Sequence, residues 1–476
     1  MNILRGLNPE NVFRFFEEIC AIPHGSGNTT AIRDYCVDFA KSRNLEFYTD
    51  DTENVVIFKN GSVGRENEMP VIIQGHTDMV CQKDETSNID FLADGLELCV
   101  DGDFVHAKGT TLGGDDGIAV AMCLALLDSN DYSHPPLEIV FTSDEETGMN
   151  GAMALDTSIL KGKRMLNLDS EAEGTLWVSC AGGARVDIAL ENTCVSNSKS
   201  NYVMTVSNLH GGHSGAEIHN GYENANKVLG RVLALLKNDV DYNIVEIGGG
   251  SADNAITRDS ACVIACDVDV IGKIDVIAEK ICKEIKSTDP DACIKADVAE
   301  KSEKCFDDVS TANIINLLNE LPSGVIRMSE NIEGLVETSL NIGVLKTNGN
   351  KVDYFFSVRS SVDSRKAELC KSLSEIASKY PCNFITGSEY PAWEFKEDSE
   401  IRDKMSEIYK AMFGKDMLVT AIHAGLECGL FCGKIKGLDC VSFGPDMFDI
   451  HTPSERLSIS STERVWKYLL KVLEEI

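Results

Sequence analysis

The stretch Val140-Phe-Thr-Ser-Asp-Glu-Glu-Thr-Gly148 carries two adjacent carboxylates, Glu145 and Glu146, at the end of a short apolar run. Such a run, followed by polar residues, predicts a buried strand that leads into a loop. Neighbouring acids repel each other, so burying both requires a nearby cation or a proton held by one of them. The pair is therefore a candidate for one metal ligand and one general base.

Three other apolar runs lead into side chains that can bind metals. They end at His76, at Asp169 and, more loosely, in the segment 441–451, which closes with His451. The glycine-rich segment 113–117 adds Asp115. Because layered α/β proteins bind ligands outside the carboxyl ends of their strands, we expect these side chains to meet in one site.

Composition limits the classes of partner. The chain has 476 residues, 43% of them hydrophobic, which predicts two or three globular domains. Its 44 basic and 76 acidic residues give a net charge of −32, which opposes binding to nucleic acid or to anionic membranes. We therefore expect neither nucleic acid nor a membrane as a partner.

Hydrophobic runs and cysteines point to a cellular compartment. No apolar stretch is long enough for a signal peptide or a membrane-spanning helix, which predicts a soluble, cytoplasmic protein. The 17 cysteines are scattered through apolar segments without the paired spacing of a disulfide framework. Most of them are expected to be reduced core residues.

The order of predicted elements suggests an interrupted domain. Residues 1–184 alternate strands and helices, which predicts an α/β catalytic domain with a layered, mostly parallel sheet. Residues 185–387 change to an α+β rhythm in two rounds, interpreted as an inserted lid domain built from a duplicated ferredoxin-like unit. Residues 388–476 resume the first pattern and are expected to complete the catalytic domain, which would bring His451 to the other ligands.

The candidate ligands are too many for one tetrahedral ion. They are two histidines and three carboxylates: His76, Asp115, Glu146, Asp169 and His451. This set suits two divalent ions that share a carboxylate, with zinc, manganese or cobalt chemically plausible. Asp78 lies close enough in sequence to orient His76 or its loop.

Several of these motifs together resemble the M20 family of dinuclear metallopeptidases, and especially its cytosolic aminoacyl-histidine (Xaa-His) dipeptidases. They are Gly75-His-Thr-Asp78, Gly113-Gly-Asp115, Asp144-Glu-Glu-Thr-Gly148, Leu168-Asp-Ser-Glu171 and His451-Thr-Pro. The likeness covers nearly the whole chain and extends to Ser179-Cys-Ala-Gly-Gly183, Gly211-Gly-His-Ser-Gly215 and Val358-Arg-Ser360.

The resemblance implies a role for each ligand. Asp115 would bridge two divalent ions, most plausibly Zn²⁺. His76 and Asp169 would hold one ion, and Glu146 and His451 the other. Asp116 is a departure, because the dipeptidases usually have asparagine there.

The resemblance also implies catalytic and substrate-binding residues. Glu145 would act as the base for a metal-bridging hydroxide, with Asp78 supporting His76. His213 would close over the substrate. The contacts to the free carboxylate of the substrate would come from Asn254, Arg359 and Gly425.

The predicted function is metal-dependent hydrolysis of dipeptides of the Xaa-His type and others. An aminotripeptidase or an N-acyl amino acid deacylase of the same family is an alternative, as is a non-catalytic metal- or peptide-binding protein. Glu145 argues against the last, because a binding protein has no use for an additional base. Small peptides are the expected partners. The sequence leaves open whether the chain forms a homodimer.

Overall fold

The structure, a computed structural model, describes residues 2–476, which form two units. The first unit runs to Ser179 and also contains Phe395–Ala421 and Leu426–Ile476, and the second unit contains Cys180–Glu394 and Ile422–Gly425. The boundaries expected after residues 184 and 387 fall inside strands of the second unit. The short segment Ile422–Gly425, expected in the catalytic domain, also belongs to the second unit.

The first unit contains elements from both ends of the chain, numbered here along the whole sequence. Its helices are α1 (Glu10–Cys20), α2 (Thr30–Ser42), α3 (Gly114–Asp128), α4 (Asn150–Ala154), α9 (Glu400–Phe413), α10 (Glu427–Lys434) and α11 (Ile459–Glu475). Its strands are β1 (Glu46–Thr49), β2 (Val55–Lys59), β3 (Val71–His76), β4 (Leu98–Asp101), β5 (Phe104–Ala107), β6 (Leu137–Thr142), β7 (Arg164–Asn167), β8 (Thr175–Cys180), β20 (Leu418–Ile422), β21 (Asp439–Ser442), β22 (Met447–Phe448) and β23 (Arg456–Ser458).

The main sheet of the first unit is mixed, with the strand order β1-β2-β6-β3-β7-β21-β8-β20. The four strands β6, β3, β7 and β21 are parallel, while β1–β2, β2–β6 and β21–β8 are antiparallel pairs. The expectation of a mostly parallel sheet is therefore correct only for its centre. Strands β1 and β2 are joined by a short turn, and a connection of that length permits only antiparallel pairing.

Helix α3 lies at the centre of the first core. Every residue from Gly114 to Leu127 is buried, as expected for a helix that is apolar all round. Strands β3 and β6 are buried along their whole length, which is typical of parallel strands covered on both faces. Because β3, β6, β7 and β21 run the same way, the loops after them leave one edge of the sheet.

The second unit is an antiparallel sheet with helices. Its strands are β9 (Gly182–Glu191), β10 (Cys194–Ser196), β11 (Ser200–Ser207), β12 (Tyr242–Gly249), β13 (Ser260–Cys266), β14 (Cys293–Val298), β15 (Lys304–Phe306), β16 (Gly324–Met328), β17 (Val336–Asn348), β18 (Lys351–Ser360) and β19 (Cys382–Tyr390). Its helices are α5 (Ala225–Lys237), α6 (Ile271–Glu284), α7 (Asp308–Glu320) and α8 (Asp363–Ala377).

The sheet order β14-β11-β13-β12-β17-β18-β9-β19 contains the ferredoxin-like arrangement twice. The first copy is β11-α5-β12-β13-α6-β14. The second copy starts with β9 and continues after the first copy with α7, β17, β18, α8 and β19. One copy is thus inserted into the other. Within residues 2–476, no helix combines the length and the hydropathy needed to cross a membrane.

Candidate metal centre and substrate-binding residues

The predicted ligands of the first unit meet beyond the central parallel strands. His76 is the last residue of β3, Glu145 and Glu146 follow β6, and Asp169 lies two residues after β7. Asp115 stands at the irregular start of α3, where the backbone is not helical. His451 comes from the loop between β22 and β23.

Asp115 lies between the two histidines. Its Oδ1 is 3.0 Å from Nε2 of His76, and its Oδ2 is 3.1 Å from Nε2 of His451. On one side, Oδ1 of Asp169 lies 3.7 Å from His76 Nε2, and on the other, Oε1 of Glu146 lies 2.9 Å from His451 Nε2. The five side chains therefore form two donor groups that share one carboxylate, which is the arrangement needed to hold two divalent ions.

The electrostatics of this cluster also suit cations. Burial raises the pKa of Glu145 well above its usual range, and the carboxylates of Asp169, Glu427 and Glu146 raise it further. Burial and the carboxylate of Asp115 likewise raise the pKa of Glu146, against the effect of His451. A divalent ion would relieve this repulsion and favour the ionised carboxylates. The residues present thus fit a metal centre in charge as well as in donor type.

Asp78 links the His76 ring to the glutamate loop. The ring Nδ1 of His76 donates to the backbone oxygen of Asp78 at 2.9 Å, which leaves Nε2 facing Asp115. The Asp78 carboxylate accepts hydrogen bonds from the backbone N–H of Glu145 at 3.0 Å and from the hydroxyl of Ser26 at 2.7 Å. Asp78 is therefore suited to orienting both a ligand and the candidate base.

Glu455, which the sequence analysis did not identify, anchors the loop of Asp115. Its carboxylate is 3% exposed and accepts hydrogen bonds from four consecutive backbone N–H groups, those of Leu112, Gly113, Gly114 and Asp115. The distances range from 2.8 to 3.4 Å. Glu455 follows His451 by four residues, so one segment contains a candidate ligand and also holds the backbone of the Asp115 loop. No local sequence pattern indicated this role.

Glu427, at the start of α10, forms a second unpredicted network below the ligands. Its Oε2 accepts hydrogen bonds from Nε2 of Gln74 at 2.5 Å and from the hydroxyl of Thr142 at 2.7 Å, and Gln74 in turn accepts from Asn167 at 2.6 Å. Burial raises the pKa of Glu427 to about 8. The network joins β3, β6 and β7 just before their ligand-bearing ends. In the sequence, this network could have been suspected from Gln74, Thr142 and Asn167, which are polar residues in otherwise apolar strands.

Asp116 contacts the backbone of His76. It is fully buried, and its Oδ2 accepts a hydrogen bond from the backbone N–H of His76 at 3.2 Å. It also lies within ligand distance of His76 and Asp169, and its Oδ1 has no hydrogen-bond partner among the described residues. The departure found in the sequence is thus adjacent to the candidate centre.

The predicted substrate-binding residues all belong to the second unit. Arg359 is 8% exposed, and no carboxylate of residues 2–476 lies within ion-pair distance of it. Its Nη1 donates to the hydroxyl of Tyr390 at 3.1 Å, while its buried Nε has no partner in the described structure. A buried cation without a carboxylate is costly unless a ligand provides the anion. Arg359 is therefore a candidate anion-binding residue.

The other predicted residues are placed differently. Gly215, in the loop of His213, packs closely against Arg359, because a Cβ on Gly215 would lie 3.2 Å from its Nε and 3.0 Å from Cε1 of His213. Asn254 accepts a hydrogen bond from Ser214 N–H through its backbone oxygen, and its side chain is exposed. Gly425 lies in the segment Ile422–Gly425, beside His423.

His423 belongs to the same cluster and was not among the predicted site residues. Its Nε2 is 2.7 Å from the hydroxyl of Ser339. Burial, reinforced by the charge of Arg359, lowers the pKa of His423 to about 3, so this ring is neutral at neutral pH. Arg359 is therefore the cationic member of the pair.

Sequence and structure comparisons relate the chain to known proteins. The sequence profile of peptidase family M20/M25/M40 matches residues 72–475. The cytosol non-specific dipeptidase of Escherichia coli (strain K12) is 35% identical over 485 residues, which cover 100% of this chain and 99% of the relative.

Solved structures show the same likeness. The aminoacylhistidine dipeptidase from Vibrio alginolyticus superposes with a TM-score of 0.93 at 37% identity, covering 99% of this chain and 98% of that chain. Aminopeptidase PepT from Bacillus cereus, with a TM-score of 0.58 at 14% identity over 98% of this chain and 99% of that chain, shares the fold.

Proposed function

The chain belongs to peptidase family M20/M25/M40, and we infer that it is a dipeptidase that acts on free dipeptides, Xaa-His dipeptides among them. The assignment of the active site rests on the position of Asp115, which lies between His76 and His451 with one carboxylate oxygen toward each. Glu145 lies in the loop that follows β6. A cytoplasmic location is proposed because the Escherichia coli relative is named a cytosol dipeptidase. A homodimer stays a prediction.

We propose that two divalent ions bind at this cluster, as in metallopeptidases of the family. His76 and Asp169 would hold one ion, Glu146 and His451 the other, and Asp115 both. Zinc is the proposed ion, since histidine and carboxylate donors suit it, although manganese and cobalt accept the same donors. When bound, such ions polarise the scissile carbonyl and increase the acidity of water.

Glu145 is proposed as the general base because the other carboxylates of the cluster are assigned to ligation. Its carboxylate would take a proton from the attacking water and then donate that proton to the leaving amine nitrogen. A carboxylate engaged in metal coordination could not return the proton in this way. Asp78 would hold the loop of Glu145 through the backbone N–H.

We propose that the second unit supplies the residues that recognise the end of the substrate, which is the role expected of a lid domain. Arg359 would bind the C-terminal carboxylate, with His213, Asn254 and Gly425 as further contacts. A guanidinium that binds this carboxylate would favour peptides with a free C-terminus over their amides. The support for this role is the burial of Arg359 without an anionic partner.

The function is tested by loading the purified protein with zinc or manganese and offering a mixture of substrates. Dipeptides, including Xaa-His peptides, are expected to disappear, while tripeptides and N-acetyl amino acids persist, as followed by mass spectrometry. Faster loss of tripeptides would identify an aminotripeptidase, and faster loss of N-acetyl amino acids would identify a deacylase. No hydrolysis with either metal would indicate a binding protein.

Arg359→Met should remove the preference for a free carboxylate. The wild type is expected to hydrolyse a dipeptide much faster than its C-terminal amide, because only the free acid can accept two hydrogen bonds from the guanidinium. The variant should lose activity on the free acid by about a hundredfold and should hardly distinguish the two substrates. Values of kcat/KM for both substrates provide the measurement. A preserved preference in the variant would place carboxylate recognition elsewhere.

A further inference from the structure

Four residues of the second unit lie in one row across four neighbouring strands. In β17, Ser339 pairs with Arg359 of β18, which pairs with Gly183 of β9, which pairs with Tyr390 of β19. Residues paired directly across a sheet point to the same face. The side chains of Ser339, Arg359 and Tyr390 therefore lie on one face of the sheet. Gly183, which has no side chain, lies between Arg359 and Tyr390 in this row.

Because Gly183 has no side chain, the side chain of Tyr390 can extend across it to Arg359. Arg359 and Tyr390 are on strands two positions apart, which is roughly 10 Å between backbones. The tyrosine ring lies across Gly183, because a Cβ there would be 2.4 Å from Cε1 and Cζ of Tyr390 and 2.5 Å from its hydroxyl. Only glycine leaves this space free, and the hydroxyl then accepts the hydrogen bond from Nη1 of Arg359.

The backbone around Tyr390 is fixed independently of Arg359. The buried ammonium of Lys366 donates to the backbone oxygen of Tyr390 at 2.6 Å and to the carboxylate of Asp363 at 2.8 Å. Asp363 also accepts a hydrogen bond from the backbone N–H of Ala392 at 3.0 Å. The backbone that carries the Tyr390 side chain is therefore held in place by residues of α8.

The hydrogen bond to Tyr390 is made by Nη1 and leaves the other edge of the guanidinium without a hydrogen bond in the described structure. That edge consists of Nε, which has no partner, and Nη2, which makes no hydrogen bond to residues 2–476. Gly215 packs beside Nε, and a Cβ there would lie 3.2 Å from it. Two parallel N–H groups on one edge are the geometry that binds a carboxylate through both oxygens.

We propose that Tyr390, reaching across Gly183, is a positioning residue that aims the free edge of Arg359 at the C-terminal carboxylate of the substrate. The inference rests on the proposed function of Arg359 and adds a specificity determinant to it. Without the phenol, the long arginine side chain would sample several rotamers, and ordering one of them on binding would weaken the recognition of the carboxylate.

Tyr390→Phe tests the proposal by removing one oxygen and keeping the ring. We expect kcat/KM for a free dipeptide to fall about tenfold, mainly through KM, because one hydrogen bond to a charged group is lost. The value for the amidated dipeptide should change less than about twofold, since that substrate has no carboxylate for Arg359 to bind. Bound metal should stay at the wild-type value.

Two further variants separate positioning from damage. Tyr380→Phe removes a phenol that donates to Glu320 at 2.8 Å on the surface of the same unit, and it should leave both substrates unaffected. Gly183→Ala places a methyl group where the Tyr390 ring lies and should reproduce the selective loss. In a Tyr390→Ala background the same methyl group should have little additional effect, because the ring it displaces is gone.

The outcomes distinguish this inference from the proposed function. If Arg359→Met abolishes the preference for the free acid while Tyr390→Phe retains it, the positioning role of Tyr390 is wrong and the function stands. A wild type that does not prefer the free acid overturns both. Equal losses on the acid and the amide in Tyr390→Phe would show general damage to the fold and would also overturn the positioning role.

Discussion

Glu145→Gln is expected to lower kcat by about a thousandfold while the protein keeps its full complement of metal. Glutamine has nearly the same shape as glutamate but cannot take up a proton. Because Glu145 is assigned to proton transfer and no ligation is assigned to it, the donors around Asp115 should be unaffected. Steady-state kinetics on a dipeptide and elemental analysis of the dialysed protein provide the two measurements.

Glu146→Gln is the matched control, since it makes the same change one residue away. Its Oε1 lies 2.9 Å from Nε2 of His451, within one of the two donor groups. The variant should lose metal from that group, and raising the zinc or manganese concentration should restore part of its activity. Added metal should not rescue Glu145→Gln. Loss of metal from Glu145→Gln, or substantial activity in it, would show that the two glutamates have been assigned the wrong roles.

The architecture was predictable where hydrophobic patterns are long. Helix α3 is apolar on all sides, and that pattern predicts a buried helix whatever its neighbours are. The antiparallel pairing of β8 was not predictable, because its neighbour β21 lies more than 250 residues later in the sequence. The resemblance to the M20 family, in contrast, rested on motifs spread along the chain and is confirmed.

The candidate site shows a similar division. Candidate ligands such as His76 and Asp169 follow apolar strands, and that local pattern allowed them to be predicted from the sequence. Glu455 had no such pattern, and its role depends on backbone N–H groups more than 300 residues earlier in the chain. The role proposed for Tyr390 could not be predicted from the sequence either, because it depends on the strand register that pairs Tyr390 with Gly183. Supporting residues of this kind emerge only from tertiary structure.

Asp115→Asn should have the largest effect on metal binding. The carboxylate directs one oxygen at each histidine, whereas an asparagine side chain has one oxygen and one N–H₂ group, which cannot bind a cation. Losing a supporting residue around a metal typically costs about 10- to 100-fold in affinity, so losing a shared ligand should cost more than about a hundredfold. Dialysed protein should therefore contain little metal and should show almost no dipeptidase activity.

Asp116→Asn provides the control for this experiment, because it makes the same chemical change at the next residue. The known role of Asp116 in the structure is to accept a hydrogen bond from the backbone N–H of His76, and the carbonyl oxygen of asparagine can accept the same bond. The variant should therefore retain both ions, as measured by elemental analysis and by metal titration. Loss of one ion from Asp116→Asn would instead identify Asp116 as a ligand beside His76 and Asp169. Retention of both ions by Asp115→Asn would remove the shared carboxylate from the proposed centre.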